Sequence, residues 1–187
     1  RGGSGDNISF NKPFLVVLQL PVTTEYGKQE SDIGATIEAI KTVALPTVWL
    51  WPNVDAGSDE ISKQLRILQN REKSFPLRLY RNFSIHDYAR LIKNSMCLVG
   101  NSSSGIREAA FLGVPSINVG SRQAGRERGA NVVDVPNKES EIVKGIRTQM
   151  ENRTLKSDLR FGDGHAGCRI AQTIAEVTPN IQKEMSY

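Results

Sequence analysis

The sequence is poor in the residues that build disulfide frameworks and metal sites. Its 187 residues include two cysteines and two histidines. Cys97 and Cys168 lie far apart and have none of the close spacings of a zinc site. Cys97 lies in an apolar segment typical of a buried strand, which predicts a packed free thiol and a reducing, cytoplasmic setting. Because no cluster of His, Asp and Glu has ligand spacing either, we expect neither a metal nor a cofactor.

Long apolar runs and concentrated positive charge are also missing. No segment approaches the ~20 apolar residues that cross a bilayer, so no membrane association is expected. The formal net charge is +4, but the basic residues are scattered and are not interleaved with aromatic residues as in single-strand binders. We therefore expect no nucleic-acid partner. A basic lobe that receives a diphosphate explains the sign of the charge equally well.

Two widespread nucleotide-binding motifs do not occur. The absence of G-x-x-x-x-G-K-[S/T] argues against a P-loop nucleotide hydrolase. The first apolar run is not followed by G-x-G-x-x-G, which argues against a dinucleotide-dependent oxidoreductase. Any nucleotide site in this chain must therefore use another loop.

Short apolar runs alternate with stretches of helical periodicity, which is the pattern of a parallel sheet covered on both faces. Strands are predicted at residues 14–20, 47–51, 77–80, 96–100, 115–119 and 131–135. One helix is predicted to begin at the cap Ser31, and a second, after the loop 52–57, to run to about Asn70. A third is predicted to begin at the cap Ser84, and two more to span about 138–150 and 165–177. Their apolar faces are predicted to carry Ile33, Ile37, Ile40, Ile61, Leu65, Leu68, Ile85, Tyr88, Ala89 and Ile92. The fold class is therefore α/β, with a doubly wound, mostly parallel, Rossmann-like sheet of about six strands over residues 13–187. Residues 1–12 are set apart as a linker or remnant.

The most informative stretch is Gly100-Asn-Ser-Ser-Ser-Gly-Ile-Arg-Glu108. In doubly wound sheets ligands bind outside the carboxyl ends of the strands, and this stretch directly follows a predicted strand. A helix is predicted to start near Ser104, and its free N–H groups and dipole would form an anion site. Ser102, Ser103 and Ser104 can add hydroxyl donors to that site.

Two further residues of this stretch fit a nucleotide. Gly105 would let a phosphate approach the backbone. Glu108, about one turn into the predicted helix, suits a ribose, because two neighbouring hydroxyls can both donate to one carboxylate. A serine-rich cap on an ordinary helix, with Glu108 favouring the positive helix end, explains the same residues without a ligand. The segment alone leaves both interpretations open.

Five segments, taken together, resemble the hydrolysing UDP-N-acetylglucosamine 2-epimerases. They are 100–108, Gly113-Val-Pro-Ser-Ile-Asn-Val-Gly-Ser-Arg-Gln-Ala-Gly-Arg126, Pro21-Val-Thr-Thr-Glu25, Trp51-Pro-Asn-Val-Asp-Ala-Gly57 and Phe161-Gly-Asp-Gly-His-Ala166. The resemblance covers residues 14–174, and its Pro-Val-Thr-Thr segment favours the hydrolysing branch, which releases N-acetylmannosamine and UDP. It implies the C-terminal lobe of a GT-B-like two-lobed fold with the active site between the lobes. It also implies a homo-oligomer, dimer or larger, in sialic-acid-type sugar synthesis.

The resemblance also implies which residues bind UDP. It places Ser102 and Ser103 on the diphosphate, with Ser104 and Gly105 completing the cradle. The remaining implied contacts are Glu108 on the ribose hydroxyls, Asn53 against the nucleotide, Phe83 against the uracil ring and Arg122 near the phosphates or the sugar.

Some of these side chains have simpler explanations. Phe83 lies where a hydrophobic staple would hold the helix capped by Ser84. Arg122 could be a solvated loop residue. Arg126 and Arg128 are predicted to be surface charges.

The chain departs from the family pattern in two ways. The family's acidic catalytic residues lie in an N-terminal lobe, which this chain does not include. In addition, Leu20 stands just before Pro-Val-Thr-Thr, where the family usually has His. A His there can supply a proton or a positive charge to the departing UDP, whereas Leu can do neither. The histidines present, His86 and His165, are predicted to be structural or solvated, so the catalytic residues stay unassigned.

The resemblance predicts that this chain supplies the UDP-binding half of an enzyme that converts UDP-N-acetylglucosamine and water to N-acetylmannosamine and UDP. Two alternatives remain open. One is the UDP-binding lobe of a GT-B-type glycosyltransferase, since a fold alone does not define a reaction. The other is a catalytically inactive UDP-binding module, which Leu20 favours.

Overall fold

The computed structural model describes residues 2–71, 74–151, 155–178 and 182. The strands are β1 (Ser4–Gly5), β2 (Leu15–Leu18), β3 (Thr47–Leu50), β4 (Leu77–Tyr80), β5 (Cys97–Gly100), β6 (Ser116–Val119) and β7 (Val132–Val135). The helices are α1 (Gln29–Val43), α2 (Ser58–Arg71), α3 (Ile85–Asn94), α4 (Glu108–Leu112), α5 (Glu139–Glu151) and α6 (Ala166–Glu176). Short 3-10 turns span Thr23–Glu25 and Ser103–Gly105. Of the predicted lobe, residues 72–73, 152–154, 179–181 and 183–187 lie outside the described part.

One sheet holds the strands together, in the order β1-β4-β3-β2-β5-β6-β7. Strands β2 to β7 pair in parallel, which confirms the predicted doubly wound sheet. From β2 the chain winds through β3 to β4, and then returns to pair β5 with the other side of β2. Leu18 and Gly100 are register partners at the carboxyl ends of these two strands. An open α/β sheet forms its ligand crevice at such a switch point.

A further strand comes from the segment set apart as a linker. Ser4 and Gly5 pair antiparallel with β4. Beyond them, Asp6 N donates to the Leu77 carbonyl (2.9 Å), and Leu77 N donates to Asp6 Oδ2 (3.1 Å). These contacts use backbone groups and one carboxylate, so no apolar pattern in the sequence predicts them. Residues 4–6 therefore form the edge of the sheet and are not a free linker.

Helices cover both faces of the sheet. On one face α1, α2 and α5 enclose a cluster that includes Ile33, Ile37, Ile40, Trp49, Ile61, Leu65, Leu68, Ile142 and Ile146. This confirms the predicted apolar faces of α1 and α2. On the other face α3 and α4 cover a smaller cluster that includes Phe14, Val16, Val48, Leu91, Ile92 and Leu98. No helix within the described ranges is long and apolar enough to cross a membrane.

Two helix details differ from the predictions. Helix α1 starts at Gln29, before the predicted cap Ser31, whose Oγ instead donates to the Lys28 carbonyl (2.8 Å). A serine in the first turn can bond backward as readily as it caps, and sequence alone does not distinguish the two. Ser84 does cap α3, accepting from Asp87 N (3.1 Å), but the helix leaves Ile85 exposed.

Helix α1 ends in a left-handed residue that is not glycine. Ala44 has φ 56° and ψ 28°, and its N–H donates to the Ile40 carbonyl (2.9 Å). This conformation costs an L-residue about 1–2 kcal/mol, partly offset because glycine loses more freedom on folding. We expect Ala44→Gly to raise the free energy of unfolding by about 0.5–1 kcal/mol in urea denaturation. Ala35→Gly, inside α1, is the control and should lower it by about 1 kcal/mol. A loss of stability in Ala44→Gly would contradict the expected relief of strain.

Candidate functional site

The carboxyl ends of the strands surround a cavity of about 590 Å³ at the switch point. We call it the switch-point cavity. Its lining includes Leu18, Leu20, Trp51, Asn53, Phe83, Tyr88, Ser102, Ser103, Ser104, Glu108 and Arg122. The structure thus brings together every predicted UDP contact except Gly105. The volume is in the range of small-molecule sites.

Neighbouring cavities share residues with this one. A cavity of about 550 Å³, lined by residues 21–25, Asp55 and Ser121, shares Arg122 with it. A larger cavity of about 940 Å³ includes Phe10, Phe14 and Tyr80 and shares Phe83. The larger one contains none of the serines at residues 102–104, so size alone does not indicate where the predicted diphosphate would bind.

The serine loop, residues 101–107, has a different backbone from the one predicted. It forms a 3-10 turn at Ser103–Gly105, and α4 begins only at Glu108 and is five residues long. Ser102 Oγ accepts from Ser104 N (3.3 Å), so the serine cap exists but holds a tight turn. Because so short a helix has a weak dipole, an anion here would depend on local donors.

Local donors are available in the serine loop. Ser103 opens the 3-10 turn, so its N–H has no acceptor inside the turn. Within the described residues, neither this N–H nor that of Ser102 donates to another group. Both serines line the cavity, and their hydroxyls add further donors. Successive free N–H groups of this kind bind anions without a long helix.

Gly105 lies beneath the cavity and not in its lining. Its N–H already donates to the Ser102 carbonyl (3.1 Å), and its carbonyl accepts from Asn131 Nδ2 (2.9 Å). A Cβ at this position would lie 2.3 Å from Ser116 Oγ. The structure therefore gives Gly105 a packing role, because the missing Cβ lets the serine loop lie close to β6. Its approach to a phosphate stays a prediction.

Asn101 joins three loops of the site. Its side chain accepts from Leu20 N (2.7 Å) and donates to the Leu20 carbonyl (2.8 Å). Its own carbonyl accepts from Arg122 Nη1 (3.2 Å) and Gln123 Nε2 (2.8 Å). Asn101 is 2% exposed. Sequence reasoning missed this residue, because its role depends on β2 and β5 being neighbours.

Gly100 makes the close approach of β5 to β2 possible. Its φ is +132°, a value that L side chains rarely adopt. A Cβ there would lie 2.1 Å from the Leu18 carbonyl oxygen. Only glycine therefore fits where the chain turns from β5 into the serine loop.

Leu20 lies beyond the end of β2 and faces the site. It is 6% exposed and lines the switch-point cavity together with Leu18 and Trp51. The predicted strand extended to Leu20, but β2 ends at Leu18. The backbone of Leu20 is held by Asn101, and its side chain is an apolar wall of the cavity.

The arginines near the site divide into three kinds. Arg122 is half-buried, lines the cavity and is held by the Asn101 carbonyl, so it is not a solvated loop residue. Arg126 is exposed, as predicted. Arg128 is a partly exposed charge that also has fixed partners: its Nε lies 2.6 Å from Asp134 Oδ2, and its Nη2 donates to the Gln123 carbonyl (2.9 Å). It braces the loop after β6 from behind the site.

The remaining predicted contacts occupy the rim of the cavity. Phe83 packs against Tyr80, with ring centroids 4.7 Å apart, and also lines the cavity. Asn53 and Glu108 are exposed rim residues. His86 and His165 are exposed and do not line the cavity, in line with the prediction for both.

The loop after β2 is fastened to the loop after β6. Glu25 accepts a hydrogen bond from Ser121, and this bond is the main reason that the pKa of Glu25 is lowered. Nearby Asp32 has a raised pKa, chiefly because of burial and then because of the charge on Glu25.

Cys97 is buried and free, and burial raises its pKa to about 12, so the thiol is unreactive.

Comparison with known proteins gives a consistent family. A family model described as UDP-N-acetylglucosamine 2-epimerase matches residues 4–175. The polysialic acid biosynthesis protein P7 of Escherichia coli is 34% identical over 147 residues, which are 78% of this chain and 37% of that protein. The UDP-N,N'-diacetylbacillosamine 2-epimerase (hydrolyzing) of Legionella pneumophila is 29% identical over 167 residues, 89% of this chain and 44% of that protein. The chain thus spans less than half the length of these curated relatives.

A solved structure shares the fold. The UDP-GlcNAc 2-epimerase of Neisseria meningitidis, bound to UDP-GlcNAc, superposes with a TM-score of 0.69 at 15% identity, covering 91% of this chain and 46% of that one. Identity this low supports the fold alone. It agrees with the GT-B-like architecture expected from the sequence.

Proposed function

Because the chain belongs to the UDP-N-acetylglucosamine 2-epimerase family, we propose that it forms the UDP-binding lobe of a hydrolysing UDP-N-acetylglucosamine 2-epimerase. The whole enzyme would convert UDP-N-acetylglucosamine and water to N-acetylmannosamine and UDP. The observation that carries the proposal is the convergence of Ser102, Ser103, Glu108 and Arg122 on one cavity at the switch point. The Legionella relative is named for a different UDP-sugar, so UDP is the part of the substrate that this lobe would share with it.

The diphosphate would bind against the serine loop. The free N–H groups and hydroxyls of Ser102 and Ser103 supply neutral donors, and Ser104 lies beside them on the cavity wall. Arg122 supplies the positive charge, and its attachment to the Asn101 carbonyl limits its movement. Donors that are oriented in advance stabilise the charge that grows on the leaving phosphate without reorganising.

The nucleoside would lie along the rim on the α3 side. Glu108 would accept from both ribose hydroxyls. Phe83, supported by Tyr80, offers an aromatic face for the uracil ring. Asn53 would contact the nucleotide from the loop after β3.

The chemistry would need a second lobe. In the proposed reaction the sugar loses the proton on carbon two while its bond to UDP breaks, and water then adds with inversion at carbon two. This lobe would hold the leaving UDP, and acids from the other lobe would move the protons. Ile85 lines the cavity and is 86% exposed. Val54 and Tyr26 are 103% and 80% exposed, and they follow the cavity-lining residues Asn53 and Glu25 in the chain. Large exposed apolar side chains around a cavity are typical of a surface that another element covers.

The setting of the enzyme is part of the same proposal. We expect it to work in the cytoplasm, where its free thiols Cys97 and Cys168 stay reduced. The resemblance noted in the sequence also favours a homo-oligomer. Leu20 supports one rival, a lobe that binds UDP without catalysis. Release of N-acetylmannosamine from UDP-N-acetylglucosamine and water by the two-lobed protein would exclude that rival and a glycosyltransferase alike.

The ribose role of Glu108 can be tested on this chain. Glu108→Gln should weaken the binding of UDP by about 1–3 kcal/mol, the scale of a hydrogen bond to a charged group. Inorganic diphosphate should bind nearly as before, because it has no ribose. Titration calorimetry with both ligands measures the difference, and Glu141→Gln on α5 is the control that should change neither. Equal losses for UDP and diphosphate in Glu108→Gln would reject the ribose role.

A further inference from the structure

The Tyr88 hydroxyl is an unusual feature of the cavity wall. Tyr88 lines the switch-point cavity from α3, the helix that packs beside α4. Its hydroxyl oxygen is buried and has no hydrogen-bond partner among the residues that the structure describes. A buried hydroxyl without a partner costs about 1–3 kcal/mol, so such a group normally has a use.

Ser104 is the neighbour that can satisfy this hydroxyl. Burial is the main cause of the raised pKa of the Tyr88 phenol, Ser104 lowers it part of the way back, and the charge on Glu108 raises it again. Ser104 is thus close to the phenol, although the two hydroxyls are not aligned as a hydrogen bond. A serine side chain rotates readily between staggered positions, so the Ser104 hydroxyl can turn toward the phenol.

We propose that Tyr88 is a positioning residue that orients the Ser104 hydroxyl toward the diphosphate of UDP. The Tyr88 O–H donates to Ser104 Oγ, so the serine oxygen is occupied as an acceptor and its own proton points to a phosphate oxygen. Hydrogen bonds in such a chain strengthen one another. The proposal rests on the proposed UDP site and adds a second layer of residues behind the serine loop.

Burial and the charge on Glu108 both keep the Tyr88 phenol protonated, so its O–H is available to donate. A carboxylate beside the phenol favours the neutral, protonated form of Tyr88, which is the form that donates. Because the Tyr88 oxygen is buried, UDP would contact Ser104 and not the phenol itself. The effect of Tyr88 on the affinity for UDP should therefore disappear when the serine hydroxyl is removed.

A double-mutant cycle on this chain tests the inference. UDP and uridine affinities are measured by titration calorimetry for the wild type, Tyr88→Phe, Ser104→Ala and the double variant. We expect Tyr88→Phe to lower the affinity for UDP about 3- to 10-fold, on the scale of one net hydrogen bond. In the Ser104→Ala background the same change should have no effect, because the partner is missing. Uridine, which has no phosphate, should bind all variants alike.

Thermal unfolding separates this role from a structural one. Removing a hydroxyl that has no partner should leave the melting temperature of Tyr88→Phe unchanged or higher. A lower melting temperature with equal losses for UDP and uridine would overturn the inference, and so would a loss of UDP affinity that persists without Ser104. If the wild-type chain does not bind UDP, the proposed function itself fails. If it does, and Tyr88→Phe binds UDP as well as the wild type, only the positioning role fails.

Discussion

Leu20→His should raise the turnover number of the proposed two-lobed enzyme by about 10²–10⁴, the usual contribution of one acid–base group. The Leu20 side chain lines the cavity beside the serine loop, so an imidazole there would reach the departing diphosphate. Its effect on substrate affinity should be smaller, because the negative charge that it stabilises develops on the diphosphate mainly as UDP leaves. A protonated imidazole has this effect, so the gain should fall as the pH rises through about 6.5.

The structure makes this substitution practical. Asn101 bonds the backbone of Leu20, not its side chain, so the loop can keep its course when the side chain changes. Leu20 is 6% exposed, and placing a polar ring there should lower stability by about 1–3 kcal/mol. Both the turnover number and the melting temperature should therefore be measured.

Leu20→Asn is the matched control, since it is polar but cannot supply a proton, and it should give no gain. The 187-residue chain with Leu20→His should release no N-acetylmannosamine, because in the proposed enzyme the acids would come from a second lobe outside these residues. Unchanged or lower turnover together with a lower melting point would mean that Leu20 is only a wall of the cavity.

Asn101→Ala should produce the largest loss of stability of the variants considered. It removes both hydrogen bonds to the Leu20 backbone and leaves the buried N–H and carbonyl of Leu20 without partners. At about 1–3 kcal/mol for each unsatisfied group, the free energy of unfolding should fall by about 2–5 kcal/mol. The melting temperature should fall by about 2–4 °C for each kcal/mol in a domain of this size.

UDP binding distinguishes the loops of the site from the rest of the fold. Asn118 is also buried, and its Nδ2 donates to Asp134 Oδ1 (2.6 Å), away from the cavity lining. Asn118→Ala should therefore lower stability but leave UDP affinity unchanged. Asn101→Ala, measured at a temperature where it is fully folded, should bind UDP more weakly because the serine loop and Arg122 lose their common support. Wild-type UDP affinity in folded Asn101→Ala would refute the coupling of the three loops.

Local patterns in the sequence were enough to predict most of the architecture. The strands β2, β3 and β5 were found because each lies in a short, nearly continuous apolar run. Strands β4, β6 and β7 were found although polar residues interrupt their apolar ones. Helix α2 was found because Ile61, Leu65 and Leu68 have helical spacing. The edge strand β1 was missed because Ser4 and Gly5 carry no apolar signal. A serine near a helix start also gave a false boundary at Ser31, since capping and backward bonding look alike in sequence.

The site was predictable where it is local and not where it is assembled from distant loops. Ser102 to Ser104 and Glu108 lie in one stretch, so their convergence needed only a strand followed by a turn. Asn101 and Leu20 are 81 residues apart, and their pairing follows from the adjacency of β2 and β5. The packing role of Gly105 and the bracing role of Arg128 likewise depend on partners in β6 and β7 that no short motif contains.

The central position of β2 also sets an order of events for folding. Strands β2, β3 and β4 with α1 and α2 form a unit of consecutive elements, whose contacts are close enough in sequence to assemble early. Strand β5 must then close a much longer loop to reach the other edge of β2. Until it does, that edge is an apolar strand with open backbone groups, which can pair with another molecule. A refolding or newly made chain is therefore most prone to aggregate in the interval before β5 docks.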